Sequence, residues 1–289
     1  MIDRRTLLAM FTAGAALAPA GTVSAAQPYD WHEAFARLPD VKMHGDEQIA
    51  MLIYPGFTAL DLVGPYHFLS GMMGAKVHLV TNGSDLRPVA SDMGLAIVPT
   101  LTLEACPQNL TLLFTPGGTD GTLAAARDSR TIGFLRDRAS RADYVTSVCT
   151  GALILGAAGL LAGKRATSHW SVRALLDQFG ATPVDARVVQ DGKVITGAGV
   201  SAGLDFGLSL VSKLRGQPYA AASMLTAEYH PDPPFLGGTL ATTPPPIGRA
   251  MTGLFDEFVA EVRKLRCQPP TGGMPLSPYL GSNRFEPTQ

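Results

Sequence analysis

The sequence predicts an α/β fold in which a mainly parallel sheet is covered by helices on both faces. Two observations carry this. Apolar runs of strand length alternate with segments of helical periodicity between residues 47 and 215, and several of the runs end in Gly- and Pro-rich turns. Several of these runs are near-continuous in their apolar character, as strands buried on both faces must be. The chain has 289 residues, 46% hydrophobic and 16% charged, enough for a well-buried core of one large domain or two small ones.

The N-terminus reads as an export signal and not as part of the fold. Arg4 and Arg5 precede an apolar run at 7–18, and Val23-Ser24-Ala25 supplies the small residues of a cleavage site. The arginine pair followed by Thr6-Leu7-Leu8 resembles a twin-arginine signal, with Asp3 where Ser or Thr is more usual. The apolar run is too short and too rich in Gly and Ala for a spanning helix. The expectation is a signal at 1–26 and a soluble periplasmic protein with no membrane contact once mature. A chain whose signal does not function would stay in the cytoplasm.

The first strand is expected at 48–54 (QIAMLIY), closed by Pro55-Gly56. A helix follows at 60–73, then strands at 76–81 and 95–99, and a strand at 110–114 that ends in TPGG. Residues 128–142 carry charges of both signs, with Ile132, Phe134 and Leu135 between them. That is a solvated helix with one buried face and not a basic binding patch. A strand at 144–148 leads into a helix at 151–161. A short strand at 165–168 and a helix at 172–179 precede a hairpin of 187–190 and 194–197 around Asp191-Gly192. Helices are expected at 201–214 and 219–229, then a stiff proline-rich loop, then one amphipathic helix at 248–265. This gives an α/β domain at 47–215, a helical and proline-rich extension at 216–267 and an irregular tail at 268–289.

A net charge of −1 with no basic arm or patch argues against nucleic acid as a partner. The three cysteines, Cys106, Cys149 and Cys267, match no zinc-ligand spacing and are too few for a disulfide framework. A Cys106–Cys267 disulfide is conceivable, but nothing in the sequence supports it.

Cys149 falls where the 144–148 strand ends and the next helix begins, in SVCTGALIL. Open α/β sheets place their ligands at that end of the strands, and a strained strand-to-helix turn exposes one side chain as a nucleophile. The helix N-terminus after it is expected to lower the thiol pKa. The plain alternative is an ordinary buried cysteine. Asp61, in LDLVGP, is a lone acid in an apolar run. Burial would raise its pKa and suit it to proton transfer, and a helix N-cap is an equal reading. TPGGTDG at 115–121 is a Gly-rich loop whose backbone N–H groups suit a developing negative charge, but it lacks both the P-loop lysine and the dinucleotide pattern. His169 reads as structural or pocket-lining and not as the catalytic base.

These pieces together carry a resemblance. SVCTGALILGAAGLLAGKRATSHW (147–170) resembles the elbow region of the ThiJ/PfpI family, and TALDLVGP (58–65), TPGGTDG (115–121) and TGAGVSAGLDFGLSLV (196–211) follow the family's order. The resemblance implies a flavodoxin-like three-layer sandwich of the class I glutamine amidotransferase-like type, with the C-terminal helical extension added to it. Within the family the likeness is to the isonitrile-hydrating members. It implies Cys149 as nucleophile on the isonitrile carbon and Asp61 as proton carrier. It further implies the N–H groups of Gly118 and Thr150 as stabilisers of developing charge. Gly117, Thr119, His169, Gly199 and Val200 would line the pocket. The implied chemistry converts a small isonitrile to an N-substituted formamide with no metal or organic cofactor, in a homodimer. Thr150 stands where glyoxalase- and peptidase-like members often carry His, which argues against those activities.

A second class stays open. The ligand domain of AraC-type transcription regulators resembles these motifs too, so a non-catalytic ligand- or redox-sensing protein, or another thiol hydrolase of the family, is the alternative. No helix-turn-helix is legible after residue 215.

Overall fold

The computed structural model describes residues 29–269. The expected signal at 1–26 and nearly all of the expected tail lie outside the described residues.

A short helix, α1 (Trp31–Ala36), precedes β1 (Gln48–Ile53), α2 (Ala59–Ser70) and β2 (Lys76–Thr81). A two-stranded hairpin, β3 (Val89–Ala90) and β4 (Ala96–Ile97), leads to β5 (Leu101–Thr102) and β6 (Leu112–Thr115). Next come α3 (Asp120–Arg127), α4 (Ser129–Arg141), β7 (Tyr144–Val148), α5 (Gly151–Ala157) and β8 (Arg165–Ala166). A 3-10 helix, Arg173–Phe179, then precedes β9 (Thr182–Pro183), β10 (Val188–Asp191), β11 (Val194–Gly197), α6 (Ala202–Arg215) and α7 (Gln217–Thr226). The extension adds α8 (Pro245–Leu254) and α9 (Asp256–Lys264).

Seven strands form the main sheet in the order β10-β11-β7-β6-β1-β2-β5, parallel throughout except for β10, which pairs antiparallel with β11. On one face α2 packs on α6 and α6 on α7. On the other lie α3, α4 and α5, backed by the 3-10 helix and α9. This is the three-layer sandwich expected of the sequence. Ile49, Met51, Leu52 and Ile53 of β1 are fully buried, which explains the unbroken apolar run of that strand. Asp128 ends α3 and caps α4, its carboxylate accepting from the N–H groups of Arg130 and Thr131. In α4 Thr131, Ile132, Phe134, Leu135 and Ala139 are buried beneath the charged face.

Several expectations need correction. The strand expected at 95–99 is only the Ala96–Ile97 arm of a hairpin outside the main sheet; the sheet's edge is Leu101–Thr102. The helix Asp120–Arg127 was not anticipated, because it is only eight residues long and its first residues fall within the Gly-rich loop read at 115–121. The helix expected at 248–265 breaks into two at Phe255, whose ring packs against His169 and Trp170. The conceivable Cys106–Cys267 bridge is not formed: Cys106 is buried, Cys267 is exposed and both are free thiols. None of the helices among the described residues is long and apolar enough to cross a membrane.

One buried ion pair closes the domain on itself. Arg215, the last residue of α6 and fully buried, donates to Glu47 Oε2 and to the carbonyls of Met43 and Met73. The chain entering β1, the loop after α2 and the end of α6 are thereby tied at one point.

Candidate active site

β7 ends at Val148, and the next residue turns into the left-handed region: Cys149 has φ +58°. A non-glycine residue held there stores strain of about 1–3 kcal/mol, so its surroundings must fix it. They do so through the main chain. The Cys149 N–H donates to the carbonyls of Gly197 (3.0 Å) and Ala198 (3.1 Å), and its own carbonyl accepts from Ser168 Oγ at 2.8 Å. Gly151 then opens α5 against the 115–116 backbone: a Cβ there would lie 2.3 Å from the Thr115 carbonyl oxygen. The Thr150 and Val200 N–H groups point at the sulfur and favour its charged form. Val200 also has positive φ, +29°.

Asp61 sits in the first turn of α2 and is fully buried. Its Oδ2 accepts from the Gly117 N–H at 3.0 Å, and Oδ1 has no hydrogen-bond partner. The carboxyl meets the Cys149 thiol in a contact too loose to satisfy Oδ1. Burial pushes the Asp61 pKa up to about 7, the Cys149 and Gly117 contacts pull against that, and the nearby Asp92 charge adds to the rise. Asp92 is held there by Thr58 Oγ1, which donates to its carboxylate at 2.6 Å. Burial also pushes the Cys149 thiol up, and the Asp61 charge adds to it, so that both outweigh the two N–H groups. The lowered thiol pKa expected from the helix N-terminus is therefore reversed: the burial that accompanies the elbow wins over the dipole.

Thr150 is the hub of a buried hydroxyl chain. The Gly118 N–H donates to Thr150 Oγ1 at 2.8 Å, and Thr150 Oγ1 donates to the Gly118 carbonyl at 2.6 Å. Thr122 Oγ1 lies 2.9 Å from Thr150 Oγ1 and 3.2 Å from the Tyr54 hydroxyl, which donates to the Pro116 carbonyl at 2.8 Å. The Gly118 N–H, expected to stabilise developing charge, donates to Thr150, and the Gly117 N–H donates to Asp61. The Thr150 N–H, also expected to meet an oxyanion, meets the sulfur. Gly117 admits no side chain, since a Cβ would stand 2.6 Å from Thr150 N and 2.8 Å from Asp61 Oδ2.

Two clefts share Phe255, and neither is lined by Cys149 or Asp61. One, of about 490 Å³, is lined by Thr119, Leu123, Phe255 and Phe258; the other, of about 260 Å³, by His169, Trp170, Leu240, Met251 and Phe255. Burial, then the nearby Arg173 charge, lower the His169 pKa to about 4, and its Nδ1 lies 2.8 Å from Ser171 Oγ. Its ring presses on Gly199, where a Cβ would come within 2.5 Å of it. A larger groove of about 860 Å³ between α1, α2 and α7 holds no cysteine. Among the described residues no group of three or more His, Cys, Asp or Glu side chains gathers in metal-ligating geometry.

The model of the DJ-1/PfpI family matches residues 47–213. The chain belongs to the DJ-1/PfpI family. It is 48% identical over 197 residues to an isonitrile hydratase of Pseudomonas putida, which covers 68% of this chain and 85% of that one. A crystal structure of a ThiJ/PfpI family protein from Pseudomonas syringae superposes with TM-score 0.78 at 54% identity. That match covers 85% of this chain and 99% of the other, and so reaches beyond the matched family domain. The DJ-1beta structure of Drosophila melanogaster, 22% identical with TM-score 0.59 over 64% of this chain and 98% of that one, shares the fold.

The sequence singled out Cys149, Asp61 and the Gly117–Gly118 turn, and the fold brings all of them to the carboxyl ends of β1, β6 and β7. It did not single out Tyr54, Thr122, Ser168 or Asp92. Tyr54, at the end of the apolar run at 48–54, and Thr122, beside Leu123 and three alanines, are polar groups next to apolar residues, and that is the one signal that pointed to them. Phe255 and Trp170 carried no signal at all, because only the folded extension brings them together.

Proposed function

We propose that the protein hydrates small isonitriles to N-substituted formamides at Cys149. The observation that carries this reading is the buried carboxyl–thiol pair on a strained turn, and the similarity to the Pseudomonas putida isonitrile hydratase names the substrate class. At neutral pH the thiol keeps its proton and the Asp61 carboxyl is about half ionised, because burial makes both groups reluctant to ionise. As sulfur attacks the terminal isonitrile carbon, Asp61 takes the thiol proton and delivers it to that carbon. The product is the thioimidate Cys149–S–CH=N–R. The Thr150 and Val200 N–H groups stabilise negative charge on sulfur while the bond forms. Water then adds to the thioimidate carbon, one of its protons passing through Asp61 to nitrogen. Collapse of the adduct frees the thiol and the formamide, so substrate plus water balances product. A base with a pKa of about 7 is matched to such transfers.

The reading includes export through residues 1–26 and a homodimer. Leu60 and Val63, apolar and exposed on α2 beside Asp61, suit a second copy of the chain. A processed periplasmic form on cell fractionation and a dimer mass by light scattering are expected; an unprocessed chain or a monomer contradicts them. The activity test is formamide production by the mature chain, lost in Cys149→Ala.

A further inference from the structure

The first turn of α2 has the pattern of a capping box that is not closed. Thr58 is the N-cap and Asp61 stands three residues on. In such a box the Thr58 hydroxyl would accept from the Asp61 N–H, and the Asp61 carboxyl would reach back to the Thr58 N–H. Neither bond is made. The Thr58 side chain makes no capping bond and donates instead to Asp92 Oδ2 at 2.6 Å. The Thr58 N–H donates to the Gly117 carbonyl at 2.8 Å, and the Asp61 carboxyl turns to the Gly117 N–H and to Cys149. Asp61 is free for the thiol because both of its local partners are held elsewhere.

The β3–β4 hairpin holds one of them. The Asp92 N–H donates to the Phe57 carbonyl at 2.9 Å, and the Gly56 N–H donates to the Ala90 carbonyl at 2.9 Å. Phe57 bridges to Ser91 on the hairpin side and to Gly118 on the other. Residues 56–58 are thus pinned between the hairpin and the Gly117–Gly118 turn. Asp92 is exposed and enters none of the ion pairs among the described residues, so no cation cancels its charge. The titratable groups that act on Asp61 are Cys149 from the elbow and Asp92 from the hairpin, and Tyr54 in turn feels the Asp61 charge. α6, packed on α2, meets Gly64 there through Gly203 and Leu204, which carry no charge.

We propose that Asp92 is a positioning residue for the proton carrier: it draws the Thr58 hydroxyl away from the cap, so that Asp61 faces Cys149, and sets a second negative charge beside it. The inference rests on the isonitrile reading for the reaction it serves. The arrangement itself is testable without any substrate.

Two variants separate charge from position, on the mature full-length chain, with thermal unfolding used to check that each is folded. Asp92→Asn keeps an acceptor for Thr58 and removes the charge. Asp92→Ala removes both and releases the Thr58 hydroxyl to cap α2. The first measurement is the titration of Asp61, followed by NMR of isotope-labelled aspartate carboxyls and assigned with Asp61→Asn. Its midpoint, about 7 in wild type, is expected to fall by roughly half a pH unit in Asp92→Asn. In Asp92→Ala it is expected to fall further, by roughly one pH unit, because the closed box adds a hydrogen bond to the charged carboxylate. A midpoint unmoved in Asp92→Asn overturns the charge, and equal midpoints in the two variants overturn the positioning. The second measurement is kcat/KM for formamide production across pH, whose limb is expected to move with the titration in each variant. A limb that stays in place while the titration moves removes Asp92 from the reaction. Absence of formamide from wild type sinks only the isonitrile reading, and the titrations still decide the role of Asp92.

Discussion

The Gly117 N–H holds Asp61 by a single oxygen, at 3.0 Å, and the other carboxyl oxygen, without a hydrogen-bond partner, is left beside Cys149. A carboxyl anchored on one side and unsatisfied on the other is ready to receive a proton. Because Asp61 must be ionised to take the thiol proton, kcat/KM should rise with pH along a limb centred near 7. Asp61→Asn should slow turnover roughly 100-fold or more while alkylation of Cys149 by iodoacetamide persists. A flat profile between pH 5 and 8 in wild type would remove Asp61 from the mechanism.

The same burial makes Asp61 a stability switch. Its folded pKa, about 7, lies above its ordinary value of 3.8, so the folded chain binds the proton more tightly than the unfolded chain. The stability linked to that proton is full below about pH 4 and is lost as pH rises through 7, a swing of roughly 4 kcal/mol. Asp61→Asn carries no such charge. Its unfolding midpoint relative to wild type should therefore be higher at pH 8 than at pH 4. A difference that does not change with pH would show that Asp61 is not buried as a charge.

The hydroxyl chain Tyr54–Thr122–Thr150 supports the Gly117–Gly118 turn from behind. Thr122→Val keeps the shape and removes the bridging hydroxyl. It should cost about 1–2 kcal/mol of stability and lower kcat more than it changes KM. Thr122→Ser, which restores the hydroxyl, should recover kcat. Equal losses in both variants would mean that the methyl group, and not the hydrogen bonds, matters there.

Arg215 and Glu47 are both almost fully enclosed. Glu47→Ala leaves the guanidinium buried without its counter-charge and should destabilise the domain by about 3–5 kcal/mol in urea unfolding. A loss under 1 kcal/mol, about what an exposed pair contributes, would show that the pair is solvated in solution.

Much of the fold was legible because burial on both faces writes itself into sequence. The runs at 48–54 and 110–114, and the 144–148 segment before the elbow, each announce a sheet strand, and the small residues after Cys149 announce a tight turn into a helix. Where burial is partial the signal fades. The two-residue strand at Leu101–Thr102 is too short to show a period, and the eight-residue helix at Asp120–Arg127 begins inside the Gly-rich loop at 115–121. The break at Phe255 is tertiary: its ring leaves the helix pattern to meet His169 and Trp170. The site divides in the same way. Cys149 and Asp61 stood out as reactive residues in apolar surroundings. The direction of the thiol pKa was misjudged, because the helix N-terminus is readable from sequence and the depth of burial is not. The engagement of the Gly118 N–H by Thr150 was hidden as well, since it depends on a contact between residues 32 positions apart.

The central claim is that Cys149 forms and releases a covalent adduct with an isonitrile carbon. Intact-protein mass spectrometry of the mature chain during turnover of phenyl isonitrile tests it most directly. The account predicts a transient mass gain equal to one isonitrile, located on Cys149, that decays as formamide appears and is absent from Cys149→Ala. Formamide produced equally by Cys149→Ala, or an adduct that forms on Cys149 and never releases formamide, would contradict it.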